Sequence, residues 1–179
     1  MLRLETRRLV LEQIGLKHEA GVHRLHNDPF VVNAMFDGVF ATSEQTEERM
    51  RVFIEQWEQL GFGYWAVYEK RDDGEHPRFV GRSGLKYLDD TDRVELGHCY
   101  VSDAAGRGIA PEAGLEVIRF GLEVAKLDKV VAVVRPENRR AIKAVEKVGF
   151  RYIDDRIHYN KLMRYFEVTA EDLLAARAA

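Results

Sequence analysis

VELGHCYVSDAAGRGIAPEAGLEVIRFGLEV, residues 94–124, decides how the rest of the chain is arranged. It reads as a strand, a tight glycine turn and a long helix. Leu96, Cys99, Tyr100 and Val101 sit in an extended-looking run of β-compatible residues, and Ser102 to Ala105 are small or polar, as in a loop. Gly106-Arg107-Gly108-Ile109-Ala110 then leads into Pro111, expected at the first helical position, where its missing N–H costs nothing. A glycine turn feeding a helix presents free backbone N–H groups and the positive end of the helix dipole. Glycines also permit positive φ and a close backbone approach. The segment suits a pyrophosphate, and an ordinary strand-to-helix turn accounts for it equally well.

Downstream, Lys129 to Val134 is a nearly continuous apolar run, the expected look of a buried central strand. Joined to the 94–101 strand through the helix, it makes a β-α-β crossover, so the two strands should be parallel. Asn138 can cap the next helix, with Ala141, Ile142, Val145 and Val148 inward and Gly149 at its end. The last strands are expected at Phe150 to Ile153 and Tyr159 to Val168, before a short helix from Thr169.

Upstream, Arg8 to Ile14 alternates as a first strand, and Lys17 to Asn27 is helical up to Asp28-Pro29. A short helix is expected in 30–40. Ser43, followed by Thr46, Glu47 and Glu48, is the expected cap of a helix with Met50, Phe53, Ile54, Trp57 and Leu60 inward and Gly61 at its end. Gly63 to Glu69 and Arg78 to Leu88 are strands separated by a turn at Arg71-Asp72-Asp73-Gly74, and Gly81 and Gly84 mark a bulge or close packing. Short polar turns between successive strands favour an antiparallel meander. The whole is α+β: a mixed, mostly antiparallel sheet with one parallel pair and flanking helices.

At 179 residues the chain fits one domain, 1–179, able to bury a core without metal or disulfide staples. A net charge of −3 argues against a surface built for nucleic acid. The single cysteine, Cys99, excludes an internal disulfide and a cysteine metal cluster, so no metal is expected. The N-terminal segment lacks a signal-peptide core and no stretch approaches the ~20 apolar residues of a membrane span, which makes the cytoplasm the expected location, without membrane partners.

Two segments together resemble the GNAT N-acetyltransferases, especially the RimJ/RimL-like branch that acetylates ribosomal-protein N-termini. They are Glu95-Leu96-Gly97 with Gly106-Arg107-Gly108-Ile109-Ala110-Pro111-Glu112-Ala113, and Pro136-Glu137-Asn138 with Glu146-Lys147-Val148-Gly149-Phe150. The resemblance implies that the turn wraps the pyrophosphate of acetyl-CoA, the co-substrate. It also implies that the parallel pair splays apart, so that pantetheine pairs with backbone near Cys99, Tyr100 and Val101 and is reached by Asn138. Three positions depart from the family pattern. Ala105 replaces a Gln, Arg or Trp, Ala141 stands where this branch often has serine, and Val145 where many members have a proton-donating tyrosine.

Acyl transfer from a thioester to an amine needs a neutral amine, an oxyanion donor and a way to remove a proton. Glu95 and His98 are the catalytic candidates, facing opposite sides of the strand; for Glu95, a carboxylate tied to an arginine is the competing role. Tyr64, His158 and Tyr159 are candidates for the acceptor pocket, with core packing the alternative. Arg107, Arg139, Arg140 and Lys143 are basic; Arg139 and Lys143 share a helix face that could meet the 3′-phosphate or simply face solvent. The resemblance implies an N-acetyltransferase acting on a small amine or a protein N-terminus. A non-catalytic acetyl-CoA-binding module and an unrelated nucleotide-binding protein are the other function classes. A homodimer is compatible with the branch.

Overall fold

The computed structural model describes residues 1–71 and 75–178. Eight strands form one mixed sheet: β1 (Arg3–Glu5), β2 (Leu9–Gln13), β3 (Tyr64–Glu69), β4 (Arg78–Tyr87), β5 (Val94–Tyr100), β6 (Val130–Val134), β7 (Arg151–His158) and β8 (Lys161–Val168). Their order is β1-β2-β3-β4-β5-β6-β8-β7. The helices are α1 (Glu19–His26), α2 (Pro29–Met35), α3 (Ser43–Leu60), α4 (Ile109–Arg119), α5 (Arg139–Lys147) and α6 (Ala170–Ala178). The expected α+β class is the observed one. Two compact units divide the chain, one of Met1–Gly84 with His98–Ala113, the other of Leu85–Gly97 with Gly114–Ala179.

In the first unit β1, β2, β3 and β4 pair antiparallel in sequence order. The short β1 precedes the strand expected at Arg8 to Ile14; its three residues, with Arg3 and Glu5 charged, carry too little periodicity to be recognised. The register between β3 and β4 shifts after Val67, so Val80 is an extra residue beside Gly81. Gly81 has φ +157°, and a Cβ there would lie 2.3 Å from the Cys99 carbonyl oxygen, which is why β4 needs glycine where it meets β5. Gly84 serves similarly, with Tyr64 Cα 2.4 Å from the site of a Cβ. The cap of α3 is Thr42, not Ser43: its hydroxyl accepts from the Gln45 amide while Gln45 Oε1 accepts from the Thr42 amide. That reciprocal box satisfies two orphan donors at once, and Gly61 closes the helix in the left-handed region. The turn expected at Arg71-Asp72-Asp73-Gly74 falls, at 72–74, outside the described residues.

In the second unit the parallel pairing of β5 with β6 joins Glu95 to Val131. Leu88, Val131 and Tyr165 are fully buried together, with Val133 against them. The helix after the glycine turn ends as a π-turn over Phe120–Val124, where the Ala125 amide reaches the Phe120 carbonyl. Gly121 sits in that turn because a Cβ would come within 2.7 Å of Leu85. The two final strands differ from expectation: β7 continues to His158, and Tyr159-Asn160 form the hairpin turn with φ +53° and +58°. Two successive positive φ values match the right-handed strand twist, and an asparagine in the second place tolerates them.

Candidate active site

The glycine turn lies in the first unit. Gly106 and Gly108 have φ +81° and +77°, a conformation few other residues adopt without strain. Here α4 begins at Ile109, two residues before Pro111, and the Glu112 amide closes its first turn onto the Gly108 carbonyl. Among the described residues none of the amides from Gly106 to Ala110 donates to another backbone group outside the helices. Those of Gly106, Arg107 and Gly108, outside the helix, are donors of the kind that an anion requires.

Side chains brace this turn from the start of the chain. Arg8 donates from Nε to Glu112 Oε2 at 2.6 Å and from Nη1 to the Arg107 carbonyl at 2.8 Å. Glu112 also accepts from Thr6 Oγ1 at 2.5 Å and from the Arg8 amide. Burial works against ionisation of Glu112, but the bonds from Thr6 and Arg8 prevail and hold its carboxyl below the ordinary value. The Arg107 guanidinium is paired with Glu69, which also receives Arg78. Arg107 therefore offers the turn its backbone.

Immediately after β5 the Val101 amide donates to the Val80 carbonyl at 3.0 Å. Strand alternation turns the backbone groups of Tyr100 to the opposite edge. The Cys99 side chain packs with Leu25 and Val31, and burial raises its thiol pKa; its contribution to a ligand is confined to backbone.

A polar cluster that the sequence reading missed surrounds His98. Arg82, in the buried stretch of β4, donates from Nε to His26 Nε2 at 3.2 Å and lies 4.3 Å from the Tyr64 ring centroid. His98 and Tyr100 are adjacent, ring centroids 5.7 Å apart. His26 Nδ1 and His98 Nδ1 are buried with no hydrogen-bond partner, and the buried Ser83 Oγ and Tyr100 Oη interact with each other. Burial, reinforced by Arg82, pushes the His98 pKa down to about 4 and that of His26 down to about 3. Both imidazoles are neutral at physiological pH. Burial raises the Tyr100 pKa, which keeps its phenol protonated. His98, Tyr64 and Tyr100 were candidates from the sequence; the signal for the rest of the cluster was Arg82, a charge inside the β-forming run FVGRSGL.

A second cluster, in the other unit, surrounds Glu95. Glu95 is 7% exposed, and its Oε2 accepts from Tyr159 Oη at 2.6 Å and from Lys86 Nζ at 2.8 Å. Its partners are a lysine and a tyrosine, where an arginine was the expected one. Asp89 accepts from the Tyr159 amide at 2.9 Å and lies 3.9 Å from His158 Nδ1. His158 stacks on Tyr165, with its Nε2 buried and unpartnered. The sequence-based pocket set thus divides, Tyr64 lying beside Arg82 and the His158–Tyr159 pair beside Glu95.

In the same unit Asn138 Oδ1 caps α5 by accepting from the Ala141 amide at 3.0 Å, which leaves its side-chain amide as a donor. Arg139, Arg140 and Lys143 are exposed at the start of that helix, whereas Val145 is buried. Among the described residues no group of three or more His, Cys, Asp or Glu could hold a metal ion, and no helix is long and apolar enough to cross a membrane.

Residues 8–151 match the model of the acetyltransferase (GNAT) domain. The chain belongs to the GNAT acetyltransferase family. This GNAT chain is 26% identical over 147 residues to the Bacillus subtilis (strain 168) protein YkkB, covering 80% of this chain and 81% of that one. It superposes on the acetyltransferase of Agrobacterium tumefaciens str. C58 with a TM-score of 0.77 at 20% identity, covering 94% of each. Mycobacterium smegmatis RimJ, solved with CoA-disulfide, gives 0.76 at 18% identity, covering 94% of this GNAT chain and 86% of RimJ.

Proposed function

We propose that the protein is an acetyl-CoA-dependent N-acetyltransferase in which residues 1–179 act as one domain, although they form two compact units. The observation that carries this reading is the braced turn at Gly106–Ala110, with the unused amides of Gly106, Arg107 and Gly108 and two positive-φ glycines, in a chain of this family. It fits a pyrophosphate: positive φ at Gly106 and Gly108 calls for glycine, and a turn without side chains at those two positions lets a ligand approach the backbone. The outward backbone groups of Tyr100 pair with the pantetheine amides as a short added strand does. In the other unit Asn138 keeps a side-chain amide that can donate and Lys143 an exposed ammonium, the groups that the family resemblance assigns to the cofactor.

Acetyl-CoA supplies an activated acetyl group and a thiolate as the leaving group. A thiolate, with a reference pKa near 8.5, departs with less help than an alkoxide would need. Ala141 and Val145 give it no proton. His98, held neutral by burial, receives the proton that the amine loses as the new amide forms. Glu95 holds Tyr159 and Lys86 in place and acts as a positioning residue. The acceptor is a primary amine on a small molecule or a protein N-terminus, and the protein works in the cytoplasm, without nucleic acid or membrane partners, as a monomer or homodimer.

Ala141, Val145 and the engaged carboxylate of Glu95 favour a second reading, a binding module that holds acetyl-CoA without turning it over. Calorimetry with acetyl-CoA, followed by a thiol-release assay over a panel of amines, separates the two. Amine-dependent release supports the enzyme. Tight binding with no release from any amine would establish the module, and binding of ATP in preference to acetyl-CoA would remove both.

A further inference from the structure

Arg82 brings a full positive charge into a buried strand and is 6% exposed. Its only hydrogen bond among the described residues runs from Nε to His26 Nε2, and no carboxylate there forms an ion pair with it. The Tyr64 and Phe53 rings stand 4.3 and 5.3 Å from its guanidinium carbon. They orient the plane without neutralising it. The nearby cation, Arg49, rests 4.6 Å from the Phe36 ring centroid and likewise lacks an acid. His26 and His98 are neutral near pH 7, so the cluster carries net positive charge.

Folded proteins seldom bury a charge without a partner, because desolvation is so costly. The terminal nitrogens of Arg82 remain free to donate in the fork geometry that matches a carboxylate at two points. Two more buried polar atoms without partners lie on His26 and His98. A polyamine would set cation against cation in this cluster, which disfavours it. On the N-acetyltransferase reading above, we infer that the acceptor carries a carboxylate in addition to its amine, and that Arg82 recognises it.

Thiol release from acetyl-CoA is measured with α-amino acids against their carboxamides, with tripeptide amides bearing Asp or Asn at the second position, and with spermidine. The kcat/KM should favour a carboxylate-bearing acceptor by about a hundredfold over its neutral counterpart. Response in the amino-acid arm or the Asp-peptide arm identifies the source of the carboxylate. Arg82→Met should bring that ratio close to one, and Arg82→Lys, the variant to rely on if Arg82→Met does not fold, should leave it in between. The acetyl-CoA KM should stay within about twofold.

Equal use of the neutral counterparts, faster use of spermidine, or a matching rise in acetyl-CoA KM on substitution would overturn the inference and leave acetyl transfer intact. If no acceptor is turned over, the enzyme reading fails, and calorimetry of the CoA-loaded protein with N-acetyl amino acids and their amides decides the rest. Carboxylate-selective binding lost in the Arg82 variants would preserve the anion site; its absence would overturn that too.

Discussion

Tyr159 reaches Glu95 Oε2 at 2.6 Å from a backbone held at φ +53°. A bulky residue in the left-handed region is strained, and such strain persists only where surroundings over-determine it. The Tyr159 amide is fixed by Asp89, its phenol bonds Glu95, and Lys86 Nζ lies 4.8 Å from its ring centroid. Tyr159→Phe removes the phenol and should lower stability by about 1 kcal/mol, read as a fall in Tm.

Glu95→Gln should depress turnover by a similar factor from pH 6 to pH 9, because a positioning carboxylate contributes equally across that range. A loss concentrated at low pH would instead make Glu95 the base.

His26 and His98 predict acid sensitivity. Their folded pKa values, about 3 and about 4, lie below the unfolded value of 6.5. The unfolded chain therefore binds more protons between those limits, and stability rises with pH across them. It should be fully present above pH 6.5 and decline as pH falls toward 4. Thermal scans should show Tm at pH 4.5 lower than at pH 7 by at least about 5 °C. His98→Gln, lacking one of the two groups, should reduce that difference; an unchanged difference would remove His98 as its source.

Gly108→Val places a β-branched side chain at φ +77° and against Arg8. An increase in acetyl-CoA KM of about tenfold or more is expected, beyond a stability loss of about 1–2 kcal/mol. Gly38 has φ +83° with nothing within 4 Å of a Cβ. Gly38→Ala should therefore lower Tm and leave the KM alone, which isolates obstruction from strain.

Arg8→Met releases the Arg107 carbonyl and one bond to Glu112. The effect should be a severalfold rise in acetyl-CoA KM with kcat little changed, measured by initial rates at saturating amine. A kcat effect with constant KM would mean that the brace does not serve the turn.

The sequence made some of these parts visible because they are local. Glycine before a helix, asparagine before another, and the apolar run at β6 are readable over a few residues, since turn, cap and burial chemistry act at that range. The Thr42 cap was misplaced by one residue because adjacent Thr and Ser are both good caps; the reciprocal bond to Gln45 decided between them. Pro111, expected at the first helical position, stands third, because the later positions of the first turn also lack an intrahelical partner for their amides and accommodate proline equally well. The Arg82–His26 pair spans 56 residues, and Glu95 meets Tyr159 across 64. Contacts over such separations follow from sheet order and register, which periodicity does not encode.

Both arginines at the glycine turn already have carboxylates: Arg107 holds Glu69, and Arg8 holds Glu112. Under the cofactor assignment, the pyrophosphate meets oriented amides rather than loose cations. Rising ionic strength would then weaken that contact only slightly, because added ions screen separated charges far more than short-range dipoles. It follows, too, that a polyanion such as RNA would gain little at this turn, which selects a ligand by the curvature of its backbone and not by net charge.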